Sequence, residues 1–311
     1  MAQGHRRRRH QGPVTVTSDF RVTLLGTGTP IPRPDRFGPS TLIEAGSHTV
    51  LIDAGRGAAM RLFQLGIPIG RIDALLLTHF HSDHTVGIPD LWLTGWLSSH
   101  FGNRRRPFNV IGPVGTARLM HHLEAAYAHD IEIRIEDERL AREHVAVKVE
   151  EFGEDGVVYQ AGDLRVIAFT VDHGDAIKPA YGFHIEYQGR VAVISGDTRY
   201  NMNLLRYGQG ADLLVHEVAM APPELLGQAD IRRIINHHTS PQEAGRVFAQ
   251  TRPKLAAFTH LVMLASQTVM APTIEALIAA TREIYEGPLE VGEDLMSFEI
   301  GESVTVRRPQ I

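Results

Sequence analysis

At 311 residues, with 43% hydrophobic and 22% charged side chains, the chain has the composition of a globular protein able to bury a sizeable core. Its net charge of -5 gives its body no general attraction for nucleic acid or anionic membrane, and no apolar run approaches the length of a membrane span. Cysteine is absent, which excludes disulfides, zinc–thiolate sites and cysteine nucleophiles and leaves nitrogen and oxygen as metal ligands.

Residues 1–19 contain His5-Arg6-Arg7-Arg8-Arg9-His10 with no apolar segment behind it, and read as a disordered basic tail rather than an intact signal peptide. Phe20 to Leu25 alternates as a strand and ends in the turn Gly26-Thr27-Gly28-Thr29-Pro30, which lacks the lysine of a phosphate-binding loop. Thr41–Ala45 and Thr49–Ile52 read as a hairpin around Gly46-Ser47, ended by Asp53-Ala54-Gly55. Ala58 to Leu65 is a short amphipathic helix stopped by Gly66 and Pro68. Ile72 to Leu77 is an apolar run that reads as a buried strand.

Directly after it stands Thr78-His79-Phe80-His81-Ser82-Asp83-His84. Three imidazoles and a carboxylate this close repel and desolvate one another unless a cation sits between them, and a transition-metal ion is the usual answer. The alternative is a histidine-rich solvated loop. Ligands at the C-terminal end of a strand occupy the place where α/β sheets build their sites.

Leu91 to Ser99 continues as a helix with Trp92 and Trp96 on one face, either walling a pocket or packing in the core. Arg104-Arg105-Arg106 is a basic loop, solvated or anion-holding. Phe108–Ile111 reads as a strand, Thr116–Ala128 as a helix, and 145–151, 157–160 and 164–170 as a meander. A hairpin follows over 183–187 and 191–194, then a short strand, Leu213–Val215. Pro241–Gln250 is a helix with Thr239 or Ser240 as N-cap, Leu255–Phe258 a strand, and Pro272–Tyr285 a helix with proline near its first turn. Strands near Met296–Ile300 and Val304–Arg307 close the chain. The interleaving predicts an α/β fold, a four-layer αββα sandwich formed by residues 20–307 as one domain.

Three further ligand-type residues stand at predicted strand ends, as His79 does: His173 in Val171-Asp172-His173-Gly174, Asp197 in Gly196-Asp197-Thr198, and His260 in Thr259-His260-Leu261. HxHxDH, a lone histidine, Gly-Asp-Thr and Thr-His in this order resemble the metallo-β-lactamase superfamily. The resemblance covers 20–307 and implies two divalent metal ions at one edge of the sheets, zinc first with manganese or iron as alternatives. It implies that His79, His81 and His173 hold one ion, that Asp83, His84 and His260 hold the other, and that Asp197 bridges them. Asp53, in Ile52-Asp53-Ala54-Gly55, would orient a ligand.

Within that superfamily Gly26-Thr27-Gly28-Thr29-Pro30, His216-Glu217 and His238-Thr239-Ser240 resemble the ribonuclease Z-like branch, where the histidine matching His238 assists the leaving group with the glutamate behind it. The alternative for His237-His238 is a capped helix start with incidental histidines. Processing enzymes of that branch carry a long Gly/Pro-rich arm. The 23 residues between His173 and Asp197 are nearly all needed for a hairpin and leave no room for one there. The run from Gly87 to Trp96 resembles the arylsulfatases of the superfamily.

The expected enzyme is therefore a metal-dependent hydrolase of the arylsulfatase/phosphodiesterase kind. A hydroxide shared by two metals would attack a small anionic sulfate or phosphate ester with an aryl leaving group. Asp83, His238 and Glu217 would be its catalytic residues, with Glu217 or Asp83 setting the His238 tautomer. The alternatives are a ribonuclease Z-type tRNA 3′-endonuclease and a lactone or carboxylic ester hydrolase. Nucleic acid is not the favoured partner, no membrane is expected, and a homodimer is. A cytoplasmic location is expected, or an exported one if a leader precedes the numbering.

Overall fold

The structure, a computed structural model, describes residues 18–309, so the arginine run expected to be a disordered tail lies outside the described residues. Strands β1 (Phe20–Gly26), β2 (Ser40–Ala45), β3 (His48–Ile52), β4 (Ala74–Leu76), β5 (Phe108–Pro113) and β6 (Val147–Phe152) build most of one sheet. Strands β7 (Gly156–Ala161), β8 (Leu164–Thr170), β9 (Tyr181–Tyr187), β10 (Arg190–Ile194), β11 (Leu213–Met220), β12 (Leu255–Met263) and β13 (Leu289–Val291) form the other. The chain then returns to the first sheet as β14 (Ser297–Ile300) and β15 (Val304–Arg307). The sheet orders are β15-β14-β1-β2-β3-β4-β5-β6 and β13-β12-β11-β10-β9-β8-β7.

Period-two alternation decides which side chains meet between the sheets. Val22, Leu24, Ile43, Val50, Ile52 and Leu76 face Val166, Phe183, Ile185, Ile194 and Val215 across the sandwich. Their neighbours Leu42, Leu51, Leu75 and Leu77 point outward. There they meet α1 (Ala58–Gln64) and, beyond the single turn α2 (Ser82–Thr85), α3 (Ile88–Trp96), α4 (Thr116–Asp137) and α5 (Arg142–Val145). The outer face of the second sheet is covered by α6 (Met202–Gly208) and, beyond α7 (Ala229–Ile235), by α8 (Pro241–Thr251) and α9 (Ile274–Arg282). The result is the expected αββα sandwich. No helix among the described residues is long and apolar enough to cross a membrane.

Several local expectations are corrected. β11 runs to Met220 and β12 to Met263, so His216, Glu217 and His260 lie inside strands rather than after them. The two strands keep pairing in parallel past the polar residues, across a shift between Glu217 and Val218. α4 extends nine residues past Ala128 to Asp137, anchored there by Ile131 and Ile135. α9 starts at Ile274, capped by Thr273, so Pro272 precedes the helix. The short elements α2, α5, α6, α7 and β13 carry too few residues for a readable period.

Trp92 and Trp96 are core residues. Both are fully buried, and their indole N–H groups donate to the Val145 carbonyl at 2.7 Å and the Ala141 carbonyl at 3.2 Å. Arg104 is buried and donates to the carbonyls of Arg106 and His144, while Arg106 pairs with Asp73 at 2.9 Å. Neither a solvated loop nor an anion clamp describes Arg104: it ties the loop to α5.

Candidate metal centre

The C-terminal ends of β3, β4, β8 and β10 lie at one edge of the sandwich and deliver Asp53, His79, His173 and Asp197, while β11 and β12 bring Glu217 and His260 to the same edge. The chain turns sharply below the cluster because three backbones touch: a Cβ on Gly55 would lie 2.7 Å from the Asp83 carbonyl oxygen, and one on Gly38 would lie 3.1 Å from it. Only glycine allows that approach.

The expected ligands converge in two groups. His79, His81, His173 and Asp197 form one, and Asp83, His84 and His260 another, each with ligand atoms within 4.8 Å of one another. In the first, His79 Nε2 and His173 Nε2 lie 3.0 and 3.3 Å from His81 Nδ1, and Asp197 Oδ2 lies 3.9 and 3.7 Å from the two Nε2 atoms. In the second, Asp83 Oδ2 is 3.7 Å from His84 Nε2 and 3.3 Å from His260 Nε2. Asp197 Oδ2 is also 3.3 Å from His84 Nε2 and from His260 Nε2, so one carboxylate oxygen faces both groups. A tetrahedral ion with 2.0 Å bonds to nitrogen places its ligand atoms about 3.3 Å apart. The side chains thus stand at ligand-to-ligand spacing. His84 Nε2, buried and 3.3 Å from a carboxylate oxygen, makes no aligned hydrogen bond. That is how two ligands of one ion face each other.

Neighbouring groups fix the ring tautomers. Asp53 accepts from the Thr78 N–H at 2.8 Å and its hydroxyl at 2.7 Å, and its Oδ2 lies 2.7 Å from His84 Nδ1. The Thr78 hydroxyl, having donated to Asp53, accepts from His79 Nδ1 at 2.9 Å. His173 Nδ1 donates to the His237 carbonyl at 2.9 Å. Each bond occupies Nδ1 and turns Nε2 inward, where it offers a lone pair once the ring is neutral. Thr78 has no role in the sequence reading, because a threonine ahead of HxH carries no distinguishing signal. Asp53→Ala is expected to weaken metal retention by about 10- to 100-fold. Metal content after dialysis against buffered free zinc measures this, and wild-type retention would contradict the role.

The electrostatics suit a cation. Burial holds His79 well below the ordinary imidazole range, aided by the charge on His84, and burial also lowers His81 and brings His173 down to about 4. These rings are neutral donors at neutral pH. Burial opposes charge on His84, yet Asp197 and Asp53 raise it well above the ordinary value. Burial also opposes ionisation of Asp197, but His260 and His84 keep its carboxyl well below the usual range. Two buried carboxylates thus demand positive charge, which a metal ion satisfies. His260 adopts φ 44°, a left-handed conformation costing roughly 1–2 kcal/mol, which functional sites often retain.

His238 completes the site. Its Nδ1 lies 3.2 Å from Glu217 Oε2, and its ring lies 5.6 Å from that of His260 and 5.0 Å from that of His173. Burial opposes its charge, but the Glu217 carboxylate outweighs this and lifts it to about 9. Glu217 Oε1 is held by the backbone N–H groups of Thr198 and Thr239 at 3.2 and 3.0 Å. Of the two expected partners, Glu217 is therefore the carboxylate in ion-pair range of His238, though not in an aligned hydrogen bond, while Asp83 lies against His84 and His260 instead. His216 points away, against Phe248. Ser240 caps α8 in a capping box with Glu243, so the helix start and the site histidine coexist.

Fold and site together define a metal-dependent hydrolase of the metallo-β-lactamase kind. The model of the Beta-lactamase superfamily domain matches residues 48–261. A ribonuclease Z from Mycolicibacterium gilvum (strain PYR-GCK) is 35% identical over 296 residues, covering 93% of this chain and 99% of its own. Among solved structures, the metallo-beta-lactamase fold protein YhfI from Bacillus subtilis aligns with TM-score 0.67 at 20% identity, over 89% of this chain and 98% of that one. Human short-form tRNase Z aligns with TM-score 0.66 at 22% identity, over 89% and 98%. This chain belongs to the metallo-β-lactamase superfamily as a ribonuclease Z-like protein.

Proposed function

We propose that this protein is a ribonuclease Z-type endonuclease acting on tRNA precursors. The observation that carries the reading is 35% identity to a ribonuclease Z across 93% of the chain. The complete ligand set and the His238–Glu217 pair agree with it. That alternative therefore replaces the aryl ester reading, and the two tryptophans offered as walls of an aryl pocket are core residues. The missing arm weighs less than the sequence suggested. The alignment takes in 93% of this chain and 99% of that relative over 296 residues, so neither carries a long insertion absent from the other. Net charge weighs less too, because a sum over the whole chain does not fix the field at the edge that carries the ligands. A homodimer and a cytoplasmic location belong to the same proposal.

Two divalent cations, when bound by the seven ligands, would supply charge neutralisation and an acidified water. The chain's own groups do the rest. Asp197 faces both ligand groups and fixes their separation. Asp53 and Thr78 hold the imidazole lone pairs on target. His238, carrying a proton at neutral pH, is the donor to the leaving oxygen, and Glu217 keeps it charged and oriented.

A substrate panel of precursor tRNA, an aryl phosphodiester, an aryl sulfate and a lactone tests the reading on the metal-replete protein. Precursor tRNA is expected to exceed the aryl phosphodiester in kcat/KM by about 10²-fold or more, because remote phosphate contacts add binding energy that serves the transition state. That advantage should fall as salt rises. Aryl sulfate turnover above that of precursor tRNA would restore the discarded reading.

A further inference from the structure

His260 is the odd residue of its strand. In the pairing of β11 with β12, Glu217 sits opposite Thr259 and Val218 opposite Leu261, so His260 is the extra residue of a bulge. The bulge and its φ of 44° turn the imidazole toward Asp83 and Asp197. A non-glycine residue stays in that conformation only if its surroundings hold it.

The hold comes from the other sheet. The Leu261 N–H donates to the Thr27 carbonyl at 3.0 Å, across to the loop that follows β1. Thr27 is itself gripped: its N–H and its hydroxyl both donate to Asp294 Oδ1, at 2.9 and 2.8 Å. The other oxygen of Asp294 accepts from the Phe37 N–H at 2.7 Å and from Arg61 at 2.8 Å. The Arg61 guanidinium in turn lies 3.8 Å above the centre of the Phe37 ring. One buried carboxylate thus takes four donors and locks both ends of the β1–β2 loop to α1.

We infer that Asp294 is a positioning residue for the metal centre. It fixes the Thr27 carbonyl, the carbonyl fixes Leu261, and Leu261 fixes the bulge that aims His260. It touches none of the seven ligands. The inference rests on the two-metal reading of the site and is independent of tRNA as substrate.

The test is a zinc titration of the full chain, freed of metal, against a chromophoric chelator, for the wild type, Asp294→Asn and His260→Ala. The amide keeps the size of Asp294 but offers one acceptor oxygen where the carboxylate uses two. Asp294→Asn is expected to weaken one of the two zinc affinities by about tenfold or more, the same one that His260→Ala removes, with the other shifted less than about threefold. Both affinities unchanged, or both falling together, overturns the inference. If Asp294→Asn does not fold, Thr27→Ala removes one of the four donors. The same zinc site should weaken selectively by a smaller factor, and no selective loss overturns the inference. A wild-type chain that takes fewer than two zinc ions overturns the two-metal reading and this inference with it. Two ions in the wild type without selective loss overturn this inference alone.

Discussion

Asp197→Ala is expected to lower hydrolysis of every substrate by about 10³-fold or more, since metal charge stabilisation is worth several kcal/mol and each 1.36 kcal/mol is a decade in rate. Asp197 Oδ2 stands 3.3 to 3.9 Å from four imidazole nitrogens drawn from both ligand groups. Asp83, the other ligand carboxylate, faces only the imidazoles of the second group. The fold does not depend on the Asp197 carboxylate, because the inter-sheet core of Ile52, Leu76, Ile194 and Val215 is apolar and continuous beneath it. The variant should keep its circular dichroism spectrum while losing bound metal and activity together. A folded Asp197→Ala protein with more than a tenth of wild-type activity would rule out the shared-carboxylate arrangement.

The second large effect falls on His238→Ala, and it should depend on the leaving group. A ribose oxygen leaves as a strong base and needs a proton, whereas a nitrophenoxide does not. General acids contribute about 10²- to 10⁴-fold where they are needed. Precursor tRNA cleavage is therefore expected to fall by about 10²-fold or more, and turnover of a nitrophenyl phosphodiester by about tenfold or less. Parallel kcat measurements on the two substrates decide this, and equal losses on both would remove His238 from the proton-donor role. Glu217→Gln should follow the same pattern more weakly. Its carboxylate lies 3.2 Å from His238 Nδ1 and is what raises that imidazole to about 9 against the effect of burial.

The candidate ligand cluster was legible because four of its members fall within six residues and the others follow recognisable strands. His79, His173 and Asp197 each stand just past an apolar run, and the structure places them there. Glu217 and His260 were found as residues but misplaced in their strands, since a polar side chain facing the site looks like the end of an apolar run. The ladder continues past both because backbone pairing does not depend on side-chain polarity. Trp92 and Trp96 could not be assigned from their spacing, which serves a core and a pocket wall equally; their bonds to the Val145 and Ala141 carbonyls decide it. Asp294 was invisible. It lies 267 residues from Thr27 in sequence, and nothing near it suggests a partner at the far end of the chain.

Substrate class was the least legible property. Negative net charge and the missing arm point away from RNA, whereas 35% identity to a ribonuclease Z supports the tRNA reading proposed above. A chain-wide charge sum says little about the field at one edge.

The most direct test is metal analysis of the full-length protein alongside cleavage of precursor tRNA, before chelation, after it and after metal is returned. Two ions per chain, with cleavage lost on their removal and regained on their return, is the predicted result. Undiminished cleavage by a chain freed of metal would contradict it.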